Sequence, residues 1–375
     1  MWLESVAWAT HFCGAKGDTG GAKGDTGGAK STINESATMT SVDTQMQTDD
    51  VAAIDRLGQV YSALKQELGK VIVGQEKVIE QLAICLFARS HALLMGVPGL
   101  AKTLLVSRLA ETLALDFGRI QFTPDLMPMD ITGTDILQQN DAGKREFEFA
   151  KGPVFANVIL ADEINRAPAK TQAAMLEAMQ EHRVTVVGRT YKLDAPFFVL
   201  ATQNPIEQEG TYPLPEAQLD RFMFLISVDY PSREEELEIA RTTTGNPIGR
   251  LESIISKAEV LEFQSLVRRI PIPEHVYEFA VDLTRQTRPD DATSPSWLKP
   301  LVAWGAGPRA VQYLILGAKA RAALMGNYIG SIEDLAAVAE SVLCHRVLTT
   351  FEAESEGISS CEIIRRLIDE MQKRR

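Results

Sequence analysis

The chain has 375 residues, of which 45% are hydrophobic and 23% are charged, a composition typical of a globular protein long enough for two domains. Its net charge of -12 and pI near 5.1 argue against a broad nucleic-acid-binding surface, so no nucleic-acid partner is expected. No uninterrupted apolar run reaches the roughly 18 residues that span a bilayer, so no membrane span is predicted.

The four cysteines, Cys13, Cys85, Cys344 and Cys361, lie far apart and show no Cys-x-x-Cys spacing. Zinc sites and small disulfide-bonded domains normally need such spacings or a higher cysteine density. We therefore expect neither a zinc site nor a disulfide framework, and a reducing cytoplasmic location.

Residues 1–48 are predicted to be a disordered extension. They contain repeats of AKGDTGG with no apolar side chain larger than alanine, followed by a stretch rich in Thr, Ser, Asp and Gln. Such a segment buries too little apolar surface to offset the entropy lost on ordering. An extra glycine breaks the strict triplet of a collagen helix, which disfavours that alternative.

Two helical patterns precede the first predicted strand. Apolar residues at spacings of three and four predict a helix that ends near Gly69, and a second helix is predicted from Lys77 to about Ser90. Between them, an apolar run is followed by Gly74 and Gln75. These two residues either wrap an adenine ring or simply form the loop that enters the second helix.

Residues 91–103, HALLMGVPGLAKT, have the pattern of a strand, a tight loop and a helix. A phosphate group needs converging N–H donors, a helix N-terminus, a lysine and a hydroxyl that holds Mg²⁺. The loop supplies all four, and the residues expected to bind a nucleotide here are Gly96, Val97, Pro98, Gly99, Leu100, Ala101, Lys102 and Thr103. Ala101 replaces the usual glycine, and the loop is expected to survive this if its backbone keeps a negative φ. An ordinary strand-turn-helix with an exposed lysine is the alternative.

A second strand is predicted over residues 119–122, and a hairpin over 134–138 and 145–149, with its turn at 140–143. This hairpin interrupts the elements of the predicted nucleotide site. It is either a plain surface loop or an element that contacts partners and transmits force.

Residues 157–163, NVILADE, predict a buried parallel strand with two acids at its carboxyl end, where open α/β sheets bind ligands. Asp162 is placed to hold Mg²⁺ together with Thr103, and Glu163 to orient and polarise an attacking water. Two acids can also simply solvate a strand end, but the upstream Lys102 and Thr103 favour the catalytic interpretation.

Asn204 follows the next buried strand, predicted over 197–202 after a helix over 169–181 and a second hairpin about Gly188. Its amide could hydrogen-bond the γ-phosphate or the water, although Asn before Pro is also a common turn residue.

Arg221 precedes the last predicted strand, residues 223–228, and is expected to serve the phosphates of a neighbouring subunit. An arginine supplied in trans accelerates phosphoryl transfer by roughly 10³- to 10⁵-fold. The alternative is a surface arginine paired with Glu216 or Asp220.

After Tyr230 helical patterns predominate, beginning with a capping box at Ser232 and continuing over residues 259–268, 273–285, 310–325 and 331–349. Arg309 falls in the first turn of one of these helices, an unfavourable place for a cation. An anionic partner such as the nucleotide of the same subunit would explain it, with an ordinary exposed arginine as the alternative.

Taken together, GVPGLAKT, VILADEINRAP, ATQNP, LPEAQLDRF and GAGPRA, in this order, resemble the MoxR family of AAA+ ATPases over about residues 50–375. The resemblance implies an α/β fold: an αβα sandwich with a five-stranded parallel sheet over 49–230 and a small all-helical lid domain over 231–375. It also implies a hairpin inserted in the second helix and another before the Asn204 strand.

In activity, the resemblance implies hydrolysis of ATP with Mg²⁺ in a homohexameric ring. Matching residues are Lys102 and Thr103 in the phosphate loop, Asp162 for the metal, Glu163 for the water, Asn204 as first sensor, Arg221 as finger and Arg309 as lid sensor. The family's members act as chaperones of other complexes, often with a partner that carries a von Willebrand factor A domain. A remodelling chaperone is therefore expected, with a magnesium-chelatase-like motor subunit or a slow nucleotide-gated binding module as alternatives.

Overall fold

The computed structural model describes residues 48–97, 99–139, 145–204, 210–244 and 249–373. The predictions for the repeat-containing extension, for Pro98 and for the turn at 140–143 lie outside the described residues. Among the described helices, none has both the length and the apolar character needed to cross a membrane.

In chain order, the helices and strands are α1 (Thr48–Gly69), α2 (Glu76–Phe87), β1 (Ala92–Met95), α3 (Lys102–Thr112), β2 (Phe117–Gln121), α4 (Pro128–Thr132), β3 (Gly133–Gln139), β4 (Arg145–Lys151), β5 (Val158–Asp162), α5 (Ala169–Glu181), β6 (Arg183–Val186), β7 (Arg189–Lys192), β8 (Phe198–Gln203), α6 (Glu216–Leu219), β9 (Phe224–Ser227), α7 (Arg233–Thr243), α8 (Lys257–Arg269), α9 (Glu274–Gln286), β10 (Val302–Trp304), α10 (Pro308–Leu324), α11 (Ile332–Leu343), β11 (Leu348–Thr349), α12 (Phe351–Ser355) and α13 (Ser360–Lys373).

Five parallel strands form one sheet in the order β2-β5-β8-β1-β9. Neighbouring residues of a strand pack in different clusters: Leu94 of β1 packs with α1, α2 and α3, whereas Leu93 packs with α5. Both faces of the sheet are therefore covered by helices, as near-continuous apolar strands require. The predicted αβα sandwich is confirmed.

The parallel register brings the carboxyl ends of three strands to one edge. Met95 at the end of β1 pairs with Gln203 at the end of β8, and Ala161 near the end of β5 pairs with Ala201. The loop that leaves β1 therefore lies beside the residues that follow β5 and β8, which is the arrangement a shared site requires.

Both predicted hairpins are present. Strands β3 and β4 pair from Gly133 opposite Lys151 onward, and β6 and β7 pair around Gly188. The rings of Phe149 in β4 and Tyr191 in β7 are stacked, with centroids 4.0 Å apart. The two hairpins therefore contact each other rather than projecting separately.

The C-terminal region is helical, as predicted, with one addition. The helix predicted over 331–349 ends at Leu343, and residues 348–349 pair with β10 in a short antiparallel ladder. Strands of two and three residues are too short to produce an alternating pattern in the sequence. One continuous cluster of buried side chains includes Leu57 of α1 and Leu314 of α10, and the boundary predicted at residue 230 stays a prediction.

Cys344 and Cys361 correct the prediction of no disulfide. The end of α11 packs on the start of α13, so that the two Cα atoms lie 4.8 Å apart and the sulfurs are bonded. Cys85 is buried and free. Helix packing brings the pair together across 17 residues, and motif spacing does not reveal such pairs. The cysteine argument for a reducing compartment is thereby removed.

His91 fixes the start of β1. The backbone N–H of Val199 donates to its Nδ1 at 3.0 Å, and its Nε2 lies 3.1 Å from the carbonyl oxygen of Met179. Burial lowers the pKa of His91 to about 4, so the ring is neutral at pH 7 and carries its proton on Nε2. One imidazole thus links β1 to β8 and to α5.

Ala101 lies in the left-handed region, with φ 53° and ψ 21°, immediately before α3. The condition of a negative φ is therefore not met, and the loop forms with alanine in the conformation that glycine normally supplies. This conformation costs an L-residue roughly 1–2 kcal/mol. The glycine of the common pattern is thus explained by backbone geometry.

Ala101→Gly should raise the free energy of unfolding by about 1 kcal/mol. The relief of roughly 1–2 kcal/mol exceeds the approximately 0.4–1 kcal/mol that the freer unfolded chain costs. Denaturant unfolding measures the difference. Ala114→Gly is the matched control, because Ala114 is also exposed, has φ 49° and lies outside the loop. If Ala114→Gly raises the free energy of unfolding while Ala101→Gly lowers it, the methyl group of Ala101 stabilises the loop.

Candidate active site

A cavity of about 420 Å³ opens at the carboxyl edge of the sheet. Its lining combines the phosphate loop, the acids after β5 and the end of β8: Gly99, Ala101, Lys102, Thr103, Leu104, Arg119, Asp162, Glu163, Thr202 and Asn204. The structure therefore brings together the residues predicted for phosphate, metal, water and first-sensor roles.

Glycines shape the loop around this cavity. A Cβ at Gly96 would come within 2.7 Å of the Val228 carbonyl oxygen, so β1 can leave the sheet there only without a side chain. Gly99 has φ 87°, and a Cβ placed there would meet no atom of the described residues within 4 Å, which leaves its surroundings open to a ligand. Val97 lies between them, next to Pro98, which is not described.

Lys102 begins α3 and its Nζ donates to the Gly96 carbonyl oxygen. Burial lowers the pKa of Lys102, and the negative charges of Asp162 and Glu163 act in the opposite direction. The ammonium group is thus half-buried and lies between a carbonyl and two acids. A phosphate entering the cavity would be a stronger partner for it than the carbonyl is.

Thr202 orders both acids. Its hydroxyl donates to Asp162 Oδ1 at 2.7 Å and accepts from the Glu163 N–H at 2.8 Å. Asp162 Oδ2 also receives two bonds from Arg119, at 2.7 and 3.2 Å. Sequence reasoning missed Thr202 and Arg119, although Thr202 lies two residues before Asn204 and so points to the same side of the strand.

Glu163 has a left-handed backbone, with φ 55° and ψ 48°. Its Oε2 accepts from Gln121 Nε2 at 2.7 Å and from Arg166 Nη1 at 2.8 Å. Gln121 in turn accepts from Arg119 at 2.6 Å. A connected network therefore joins the two acids, and the register of β2 with β5, which pairs Gln121 with Asp162, positions it.

The donor set fits a magnesium ion. Thr103 and Asp162 line the same cavity, and hydroxyl and carboxylate oxygens are ligands that Mg²⁺ prefers. Arg119 currently holds one Asp162 oxygen, but its side chain is 48% exposed and can leave without breaking a buried contact.

A second cavity, of about 430 Å³, lies between the sheet and the C-terminal helices. Residues on its wall include Val73, Gln75, Val78, Met95, Leu225 and Tyr230. Gln75 donates from Nε2 to the Leu100 carbonyl oxygen of the phosphate loop at 3.4 Å. Its Oε1 is buried and has no hydrogen-bond partner among the described residues. Gln75 therefore connects the two cavities and offers an unused acceptor.

Gly74 has φ 68°, and a Cβ there would lie 2.0 Å from Glu235 Oε1 of α7. The left-handed backbone favours glycine at this position, and the Glu235 side chain would have to move aside for any larger residue. Gly74 thus lies against α7, the helix that follows β9, and the adenine-binding role of Gly74 and Gln75 stays a prediction.

Arg221 and Arg309 lie together, away from the residues that line the phosphate-loop cavity. Both line a third cavity of about 440 Å³, with Arg89 and Arg268. Arg309 donates to Asp220 at 3.0 Å, and the pKa of Arg221 is lowered by burial and by repulsion from Arg309. Arg309 thus lies outside the phosphate-loop cavity in this structure, and its role as lid sensor stays a prediction.

The described residues include no carboxylate within 4.0 Å of the Arg221 guanidinium, since Asp220 pairs with Arg309 and Arg346 instead. The alternative of a surface arginine paired with Asp220 is therefore disfavoured.

Comparisons with known proteins agree with this geometry. Residues 91–224 match the model of the ATPase family associated with various cellular activities (AAA), and residues 296–367 match that of the AAA lid domain. The chain is 43% identical to Chaperone MoxR1 of Mycobacterium tuberculosis over 80% of this chain and 79% of that protein. It is 30% identical to Protein MoxR of Methylorubrum extorquens over 76% of this chain and 86% of that protein.

Among solved structures, a Cytophaga hutchinsonii protein described provisionally as an ATPase superposes with a TM-score of 0.79. It is 45% identical, and the match covers 85% of this chain and 96% of that chain. Sequence family, relatives matched over most of their length and fold therefore agree, and the chain belongs to the MoxR family of AAA+ ATPases.

Proposed function

We propose that this chain is a chaperone that hydrolyses ATP with Mg²⁺ and uses the energy to remodel partner protein complexes. The observation that carries the proposal is the meeting of Lys102, Thr103, Asp162, Glu163 and Asn204 in one cavity. The similarity to Chaperone MoxR1 supports the remodelling role.

The adenine base is proposed to occupy the cavity beside Gln75. The buried Oε1 of Gln75 supports this, because it can accept a hydrogen bond from the exocyclic amino group of adenine. Its amide nitrogen already donates to the Leu100 carbonyl oxygen of the phosphate loop. Gln75 would therefore link the residues that contact the base to those that contact the phosphates.

The phosphates are proposed to contact Lys102 and the free N–H groups at the start of α3. Thr103 and Asp162 would hold Mg²⁺, which when bound neutralises phosphate charge and polarises the bond that breaks. Asn204 is proposed to hydrogen-bond the γ-phosphate or the attacking water.

Glu163 is proposed to orient that water and take up its proton. Its Oε2 already accepts hydrogen bonds from two donors, so a water must compete with them for this oxygen. The contacts of Glu163 with Gln121 and Arg166 must therefore loosen before hydrolysis. Turnover would in this way depend on a rearrangement at the edge of the sheet.

Arg221 and Arg309 are proposed to act together on the nucleotide of the next subunit. Their shared cavity, distinct from the phosphate loop of their own chain, supports this. The assembly would be a ring, which we propose to be a hexamer in the cytoplasm. A partner with a von Willebrand factor A domain would present the client, as the family resemblance implies.

Glu163→Gln should bind ATP with unchanged affinity and lose about 10²- to 10⁴-fold in hydrolysis rate, because the base is removed while the fold is kept. Phosphate release and binding of a fluorescent ATP analogue measure the two effects. Glu177→Gln, on the exposed face of α5, is the control. If the chain is a motor, Glu163→Gln should also stay bound to its partner protein when ATP is present. A normal hydrolysis rate in this variant would rule out the assigned role of Glu163.

Arg221→Ala and Lys102→Ala should each abolish hydrolysis, and mixing the two should restore part of it. In a random mixture, about a quarter of the head-to-tail interfaces join an intact site to an intact finger. Only Lys102→Ala should lose ATP binding. If the two variants assemble together but ATP hydrolysis does not recover, Arg221 does not act in trans.

A further inference from the structure

Arg346 follows α11 and its side chain is only 2% exposed. Its Nε donates to Asp220 Oδ1 at 2.8 Å, and its Nη2 donates to the carbonyl oxygens of Asp220 at 2.9 Å and Phe222 at 2.6 Å. Its Nη1 reaches the carbonyl oxygen of Met223 at 3.2 Å. The guanidinium thus binds residues 220–223, which we call the finger segment.

Tyr313 of α10 supplies the remaining contact. Its hydroxyl donates to the carbonyl oxygen of Arg221 at 3.1 Å, and its ring lies 5.0 Å from the Arg346 guanidinium carbon. All four carbonyl groups of the finger segment are therefore bound by Arg346 or Tyr313. Both residues belong to the C-terminal region, whereas the finger segment lies between α6 and β9, immediately before the last strand of the sheet.

These contacts determine where Arg221 points. Its side chain has no carboxylate partner among the described residues, so its direction depends on the backbone that carries it. Asp220 adds a second constraint, because it binds Arg346 through Oδ1 and Arg309 through Oδ2. Arg309 and the backbone of Arg221, two of the four arginines that line the third cavity, are thus held through Asp220 and its segment.

Helix α11, which Arg346 follows, also reaches the cavity beside Gln75, where the adenine base of the same subunit is proposed to bind. Glu340, Ser341 and Cys344, on α11 and at its C-terminal end, line the cavity beside Gln75, and Gln81 of α2 donates to Ser341 at 2.6 Å. The C-terminal end of α11 therefore lines the base cavity of its own subunit, and Arg346, which holds the finger segment, follows two residues after Cys344.

We propose that Arg346 is a positioning residue: it holds Arg221 for the nucleotide of the next subunit and couples that finger to α11. This inference rests on the proposed function, in particular on a finger that acts in trans. Arg346 itself is buried and does not touch the nucleotide.

The test uses Arg346→Lys in the full-length chain. Lysine keeps the charge but lacks the planar fork that reaches several acceptors at once. We expect kcat for ATP hydrolysis to fall by about 10- to 100-fold, as misplacement of a reacting group does, while the affinity for ATP stays within about threefold. Arg321→Lys is the matched control, because Arg321 of α10 is also largely buried and pairs with Glu80 and Asp334, away from the finger segment.

Mixing experiments separate positioning from general damage. Arg346→Lys mixed with Lys102→Ala should recover activity, because one variant keeps its site and the other its finger. Arg346→Lys mixed with Arg221→Ala should not recover, because both lack a working finger. Recovery in the second mixture, or none in the first, would overturn the proposal.

Tyr313→Phe provides a second variant that removes only the hydroxyl bound to Arg221. It should lower kcat by about three- to tenfold with unchanged ATP affinity, and it should show the same mixing pattern. An unchanged kcat in this variant would also count against the proposal that Arg346 and Tyr313 position the finger segment. Failure of the Arg221→Ala and Lys102→Ala mixture would instead overturn the trans finger itself, so the two failures can be distinguished.

Discussion

The parallel register of β1, β5 and β8 is the constraint on which the rest of the structure depends. It brings a lysine and two acids to one edge, where each charge needs a partner. Within this chain the partners are its own side chains: Arg119 binds Asp162, and Gln121 binds Glu163. A magnesium nucleotide would offer charge to the same groups, so binding is an exchange of partners rather than the filling of a neutral space.

Two left-handed residues show how tightly this edge is built. Ala101 and Glu163 both adopt a positive φ that favours glycine, one before α3 and one after β5. Such strain persists only where the surroundings determine the backbone, and it is concentrated at functional sites. Here the strain turns the chain so that Lys102 and the Glu163 carboxylate face one cavity.

Much of the fold and the centre of the site could be predicted because their signals are local. The sequence around Lys102 and the sequence around Asp162 each contain a strand and its polar end within a few residues. The network partners could not be predicted in this way. Gln121 meets Glu163 across 42 residues and Arg346 meets Asp220 across 126, so their contacts follow from tertiary packing rather than from spacing. The disulfide was missed for the same reason, whereas the strands of the β10–β11 ladder are too short to produce a pattern in the sequence.

The finger segment is surrounded by an excess of positive charge. Arg309 and Arg346 share the single carboxylate of Asp220, and Arg221 adds a further positive charge beside them. Burial lowers the pKa of Arg221, and repulsion from Arg309 lowers it further, even though the group stays ionised. A triphosphate supplied by a neighbouring subunit would offset this excess. Under the proposed function, the cationic cavity is half of an interface between subunits, and the C-terminal helices hold its arginines in place for a nucleotide bound by the neighbour.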